Sequence, residues 1–355
     1  MIRSLLFAFM ISFLLNFAFI YFFKHKKFKD TFDGPQKFHI TPTPRIGGLA
    51  IILSVFAAAL FYHFTAYKSD IFLLLFATIP ITVAGLAEDI FKKVNPKIRL
   101  AAAFVSVLLG SYFIDMIITS IDIPFIDSLL QIEVVAYVFT IIAVAGVANS
   151  INIIDGYNGL SSVVSILILF ALAYVAFELN DSLILIMCFI TIGATGGFFI
   201  WNYPFGKIFL GDGGAYFIGF IIAMLSIMLV NRHNEVSAWF PLLAVIYPVF
   251  ETVFSIYRRK ILKRSKIDHP DSFHLHQLIY KRVIPFVFDV ERDNRLLRNS
   301  ATSPFLWLVC SFGVIPAVIF WKYTYVLFVF VVIFCVFYIW LYKSIVKFQI
   351  GKYLK

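Results

Sequence analysis

Residues 323–342 read YTYVLFVFVVIFCVFYIWLY, a stretch without a charged side chain, and it decides the class of fold. A helix of about 20 apolar residues spans the hydrocarbon core of a bilayer. Backbone groups in lipid must find their hydrogen-bond partners within such a helix. We therefore predict an all-α, polytopic integral membrane bundle of about 11 helices, near residues 3–23, 46–67, 71–89, 99–118, 134–154, 160–179, 182–201, 213–231, 238–257, 304–321 and 323–342.

The composition agrees, because 61% of the 355 residues are hydrophobic and only 14% are charged. Soluble domains carry about 25% charged residues. We expect one transmembrane domain over residues 1–355, in which residues 258–303 form a long cytoplasmic loop. The net charge of +10 does not indicate nucleic-acid binding, since the basic residues stand in short loops between apolar runs.

The distribution of basic residues predicts the topology. With the N-terminus outside, 26 of the 30 Lys and Arg residues fall on the cytoplasmic side. Cytoplasmic loops are the ones enriched in Lys and Arg. The N-terminus is therefore expected outside and the C-terminus in the cytoplasm.

Glycine-flanked polar clusters all fall at the predicted cytoplasmic ends of the helices. Asn149, Asn152 and Asp155 are spaced by three and share a broad helix face, as functional polar groups in membrane helices do. The clusters are Lys37–His39 with Pro42, Pro44, Gly47 and Gly48; Gly85–Asp89; Asn149–Gly159; Asn202, Lys207 and Phe209–Gly214; and Asp271–Gln277.

Carboxylates that gather at one surface repel each other unless a cation offsets their charge. Aspartate and glutamate oxygens without cysteine ligands suit Mg²⁺, or Mn²⁺, rather than zinc. Mg²⁺ sites are usually completed by substrate phosphates, which nearby basic side chains also bind. The pattern therefore favours phosphoryl transfer.

Two features keep a structural reading open. His274 and His276 stand two residues apart, a spacing that is common in ordinary polar loops and too sparse for zinc. Glu251, in the ninth predicted helix, needs a partner, either Arg258 in an ion pair or the metal.

In this order, the clusters resemble the polyprenyl-phosphate N-acetylhexosamine-1-phosphate transferase superfamily, also classed as glycosyltransferase group four. The resemblance runs from about Asp33 to Pro304. The loop His274-Leu275-His276-Gln277-Leu278-Ile279-Tyr280 is closer to the branch that uses simple UDP-N-acetylhexosamines than to the muramoyl-pentapeptide branch.

The resemblance implies an enzyme of the bacterial inner membrane with a cytoplasmic site. It would transfer an N-acetylhexosamine-1-phosphate from a UDP-sugar to undecaprenyl phosphate and release UMP, as a first step of O-antigen, teichoic acid or similar glycan synthesis. No nucleic-acid partner is expected, and a homodimer is left open.

The resemblance also implies roles for individual residues. Asp212 would be the leading Mg²⁺ ligand, with Asp89 and Asp155 at the metal, and Glu88 beside it and the lipid phosphate. Predicted catalytic residues are Glu88, Asp89, Asp155, His274 and His276; predicted substrate-binding residues are Lys37, Asn149, Asn152, Asn158, Asn202, Lys207, Glu251 and Arg258.

Three positions depart from the usual pattern of the superfamily, namely Glu88, Asn158 and Gln277, where Asp, Asp and His are common. One-step attack and a covalent aspartyl-phosphate route both remain open. The rival functions are a transporter or flippase of lipid-linked sugars and an inactive relative.

Overall fold

The computed structural model describes residues 1–22, 43–66, 70–92, 94–262, 273–288 and 294–347. Lys37 lies outside these residues. The described helices are α1 (Ile2–Phe22), α2 (Gly47–Ala66), α3 (Asp70–Phe91), α4 (Pro96–Ile114), α5 (Pro124–Leu130), α6 (Glu133–Ile154), α7 (Leu160–Glu178), α8 (Ser182–Asn202), α9 (Gly211–Arg232), α10 (Trp239–Ala244), α11 (Ile246–Tyr257), α12 (Leu275–Leu278), α13 (Ile284–Phe288), α14 (Arg295–Ile319) and α15 (Thr324–Val346).

The all-α, multi-spanning fold is confirmed. Among the described residues, ten helices are long and apolar enough to cross a membrane. The remaining predicted span is interrupted at Val245, between α10 and α11. The interruption has a local cause, because the ring of Pro248 clashes with the carbonyl of the residue four positions earlier and removes a helical hydrogen bond.

The long loop is shorter than predicted at its C-terminal end, since α14 begins at Arg295 and takes in residues 295–303. Short π-helical turns follow α11 at Arg258–Leu262 and α12 at Ile279–Val283. In α13, Phe286 and Val287 are exposed, as expected of side chains that contact a membrane surface, whereas Ile284 is buried.

Helix α9 forms the centre of the bundle, and almost all of it is buried. Glycines let its neighbours approach closely: a Cβ on Gly48 of α2 would lie 2.3 Å from the nitrogen of Gly214, and one on Gly85 of α3 would lie 2.7 Å from the Cα of Gly213. Small residues permit such contacts between membrane helices. These glycines therefore bring the ends of α2 and α3 against the start of α9.

Acidic side chains lie at both ends of the bundle. The carboxylate rim is the end where α3 and α6 terminate and α9 begins, and it carries Asp89, Asp155 and Asp212. The opposite rim is the end where α8 begins and α9 terminates, and it carries Asp122 and Asp181.

Candidate active site

The segment before α2 is joined to the segment before α9 by backbone hydrogen bonds. Phe209 N–H donates to the Pro44 carbonyl at 2.9 Å, Gly47 N–H to Phe209 at 2.9 Å, and Gly48 N–H to Leu210 at 2.8 Å. This pairing holds Arg45, which lies between the bonded residues, beside the first turn of α9.

Asp89 caps α9 from a different helix. Its two carboxylate oxygens accept hydrogen bonds from the backbone N–H groups of Asp212 and Gly213, both at 2.8 Å. The first N–H groups of a helix lack partners within it, and negative charge is favourable there. Gly211 has a φ of +80°, and a side chain on it would run into the Asp89 carboxylate. The Gly-Asp-Gly sequence therefore lets the acid of α3 reach the start of α9.

Asp212 forms ion pairs with two arginines. One carboxylate oxygen contacts the Arg45 guanidinium, and the other lies 3.4 Å from Nη1 of Arg99. The Nε of Arg45 is also 3.6 Å from Asp89. Two carboxylates from separate helices and two arginines thus form one charged cluster.

Neither Arg45 nor Arg99 was among the site residues predicted from sequence. The signal for Arg45 is its position between Pro44 and the Gly47-Gly48 pair, within a cluster that was already singled out. Arg99 counted only as a basic residue at the start of a span. Its proximity to Asp212 depends on how α4 packs against α3, which the sequence alone does not reveal.

Asp155 ends α6 on the same rim and is half-buried. It accepts a hydrogen bond from the Ser161 hydroxyl and lies within electrostatic range of Arg45, Asp212 and Asp89. Burial raises the pKa of Asp155 to about 7, although Ser161 and Arg45 act in the opposite direction. Further positive charge at this place would therefore favour its ionised form.

The asparagines of α6 lie on the same face as Asp155. Asn149 and Asn152 are both half-buried. The Tyr216 hydroxyl of α9 donates to the Asn149 side chain at 3.5 Å, and the Arg99 guanidinium stands 5.6 Å from the centre of the Tyr216 ring. Asn149 thus connects to the charged cluster through Tyr216.

The histidine loop, residues 274–280, lies against the turn that follows α6. A Cβ on Gly156 would lie 3.8 Å from Nε2 of His276, and the rings of Tyr157 and His276 have centres 5.5 Å apart. The imidazoles of His274 and His276 stack, with centres 5.1 Å apart. The structure therefore brings the predicted catalytic histidines next to the turn that carries Asp155.

Two predicted substrate-binding asparagines bind backbone groups instead of facing open space. The buried Asn158 side chain donates to the Pro204 carbonyl at 2.8 Å. The buried Asn202 side chain accepts from Gly159 N–H at 2.6 Å and donates to the Ile208 carbonyl at 2.8 Å. Both residues brace the loops around Asp155 and the start of α9.

Four other predicted residues have their partners outside the charged cluster. Glu88 accepts a hydrogen bond from Val94 N–H at 2.6 Å, which stabilises the turn between α3 and α4. Lys207 is exposed and stands 5.3 Å from the Trp201 ring. Glu251 binds His274, and the buried guanidinium of Arg258 lies over the rings of Phe273 and Tyr342.

The carboxylates at this rim are the described residues that could hold Mg²⁺. Among the described residues, no group of three or more His, Cys, Asp or Glu side chains is arranged to hold a metal ion. Mg²⁺ commonly takes one or two carboxylates and completes its shell with water and phosphate. Asp212 and Asp155 could supply such carboxylates, and Arg45 and Arg99 lie beside Asp212.

Comparison with known sequences assigns the chain to a family. A protein named phospho-N-acetylmuramoyl-pentapeptide-transferase, from Staphylococcus carnosus, is 30% identical over 74% of this chain and 87% of its own length. The profile of glycosyl transferase family 4 matches residues 71–230. The chain belongs to glycosyl transferase family 4.

A second relative lies in another branch of glycosyl transferase family 4. A protein from Bacillus subtilis named probable undecaprenyl-phosphate N-acetylglucosaminyl 1-phosphate transferase is 32% identical over 68% of this chain. The alignment covers 66% of that relative, a little under two thirds. The resemblance to the superfamily, and to this branch of it, is therefore confirmed.

Proposed function

We propose that this protein transfers an N-acetylhexosamine-1-phosphate from a UDP-sugar to undecaprenyl phosphate, giving a polyprenyl-diphospho-sugar and UMP. The observation that carries the proposal is the cluster of Asp89, Asp212, Arg45 and Arg99, which has Asp155 and the two histidines beside it. The names of both relatives describe transferases of this kind.

The chemistry requires one bond to form and one to break. A phosphate oxygen of the lipid attacks the β-phosphorus of the UDP-sugar, and the bond from that phosphorus to the oxygen bridging it to UMP breaks. UMP leaves with the bonding electron pair. Several negative charges must meet in this step, so positioned cationic groups stabilise the transition state.

The residues of this chain divide that task. Arg45 and Arg99 would bind phosphate oxygens. Asp89 caps the start of α9, the helix that carries Asp212. Asp212 and Asp155 would hold Mg²⁺, which supplies charge neutralisation of the diphosphate when bound. His274 and His276 would bind the diphosphate from the loop side.

The location of the cluster favours a transferase over a transporter. Transporters hold their substrate near the bilayer midplane, commonly at broken helices. Here the charged cluster lies where α3 and α6 end and α9 begins. A site at a rim is open to a water-soluble nucleotide sugar and to the phosphate of a lipid at once. We place this rim at the cytoplasmic face of the bacterial inner membrane, in keeping with the distribution of basic residues.

Purified protein supplied with undecaprenyl phosphate, Mg²⁺ and a panel of UDP-sugars tests the proposal. We expect UMP release with at least one UDP-N-acetylhexosamine and its dependence on both the lipid and the cation. Absence of UMP with every sugar, under conditions in which a known relative turns over, would contradict the proposal and favour an inactive family member.

A further inference from the structure

The contacts of Glu251 are with the histidine loop rather than with the charged cluster. Glu251 lies on α11 with 1% of its surface exposed. One carboxylate oxygen accepts from Leu275 N–H at 2.9 Å and contacts Nδ1 of His274 at 3.1 Å, and the other accepts from the Tyr338 hydroxyl at 2.8 Å. A buried carboxylate is tolerated where donors of this kind surround it.

These contacts point to Nδ1 as the nitrogen of His274 that carries a proton. An ionised carboxylate only accepts hydrogen bonds, so beside an ionised Glu251 the Nδ1 of His274 is the donor. Nε2 is then the ring nitrogen left to meet a ligand. Because His274 stacks on His276, and His276 lies beside Gly156, the orientation of the first imidazole also affects the ring nearest Asp155.

Helix α15 supports this arrangement through two tyrosines spaced by four, which share one helix face. Tyr338 donates to Glu251, whereas Tyr342 donates to the backbone carbonyl of Phe273 at 3.1 Å. The Tyr342 hydroxyl binds the loop backbone, and the Tyr338 hydroxyl binds the carboxylate that the loop contacts. The pair therefore provides a matched comparison between support of Glu251 and support of the loop backbone.

We propose that Glu251, assisted by Tyr338, is a positioning residue that keeps a proton on Nδ1 of His274 and so directs Nε2 toward the diphosphate of the substrate. The inference rests on the proposed function, in which His274 binds that diphosphate. With Nε2 also protonated, His274 is a cation that can donate a hydrogen bond from Nε2 to a diphosphate.

Other charged or titratable groups surround the pair. They come from the loop, from α11 and the turn after it, and from α15, and they are His276, Tyr247, Arg258, Tyr338 and Tyr342. A Glu251→Gln variant leaves these residues in place and keeps the shape of the side chain, but it removes the charge and replaces one carboxylate acceptor by an amide donor.

Nuclear magnetic resonance of the purified protein labelled with ¹⁵N-histidine tests the contact without any substrate. The chain has seven histidines, and a His274→Gln variant assigns the signal of interest. We expect a protonated Nδ1 on His274 in the wild type and a shifted Nδ1 signal in Glu251→Gln. A wild-type His274 with an unprotonated Nδ1, or identical signals in both proteins, would overturn the proposal.

Kinetics of UMP release test the consequence. In Glu251→Gln we expect kcat/KM to fall about 10- to 100-fold at equal amounts of folded protein, as losses of groups that orient a functional histidine do. Tyr338→Phe should show a smaller change in the same direction.

Tyr342→Phe is the control, because it weakens the loop anchor and leaves Glu251 untouched, so its His274 Nδ1 signal should match that of the wild type. A Glu251→Gln variant that loses activity only in proportion to unfolded protein would reduce Glu251 to a structural role and overturn the proposal. If the wild type itself releases no UMP with any sugar, the proposed function fails, and the resonance comparison alone decides the Glu251–His274 contact.

Discussion

The two rims of the bundle both carry acidic side chains, but the partners of these side chains differ. At the opposite rim, Asp181 caps the start of its own helix α8 and pairs with Arg232 and His233, and Asp122 accepts from Ser237 and Thr324. Each acid there binds groups that stabilise one local junction.

At the carboxylate rim, acids of separate helices share partners. Arg45 contacts both Asp89 and Asp212, Arg99 contacts Asp212, and Asp155 lies within electrostatic range of the same group. A lone carboxylate at the end of a membrane helix therefore says little about function. Several carboxylates that share cations across helices are what makes the carboxylate rim the candidate site.

The largest effect should follow from Asp89→Asn, because it removes a charge of the cluster. We expect UMP release to fall by about 100-fold or more, as loss of a positioned electrostatic group commonly does. We also expect unfolding to become easier by about 1 kcal/mol, since one amide oxygen must replace two carboxylate acceptors. Rates in detergent and melting curves measure the two effects, and a wild-type rate would remove Asp89 from the active site.

A smaller effect is expected for Arg45→Gln. The guanidinium pairs with two acids in the structure and stands where substrate phosphates would bind, so its loss should lower kcat/KM by about 10- to 100-fold. Arg232→Gln, which removes a cation from the opposite rim, is the control and should leave kcat/KM within about twofold. Equal losses in the two variants would erase the distinction between the rims.

The sequence was sufficient for the class of fold and for the gathering of acids at one rim, because long apolar runs and glycine-flanked acids are local patterns. It was insufficient for the partners of those acids. The pairing of Arg99 with Asp212 and the binding of Asn202 to backbone groups of two loops depend on packing between segments far apart in the chain. The interruption at Val245 had a local signal in Pro248, yet the apolar run across it read as one helix.

The smallest effect should follow from Asp181→Asn at the opposite rim. Burial opposes ionisation of Asp181, but the Ile184 N–H, His233 and Arg232 outweigh it and hold the pKa of this carboxyl below its ordinary value. The ionised cap therefore stabilises the protein at neutral pH, and the contribution is lost as the pH falls through that lowered pKa. We expect a loss of about 1 kcal/mol at pH 7.

Melting curves from pH 7 to pH 3 check this prediction, and the difference between wild type and Asp181→Asn should shrink at the acid end. A difference that stays constant across this range would show that the charge of Asp181 does not contribute to stability.

The most direct test of the account compares UMP release from wild type, Asp212→Asn and Asp181→Asn at equal amounts of folded protein. These variants make the same chemical change at the two rims. The account predicts a loss of about 100-fold or more for Asp212→Asn and a rate within about twofold of wild type for Asp181→Asn. Similar rates for the two variants would contradict it.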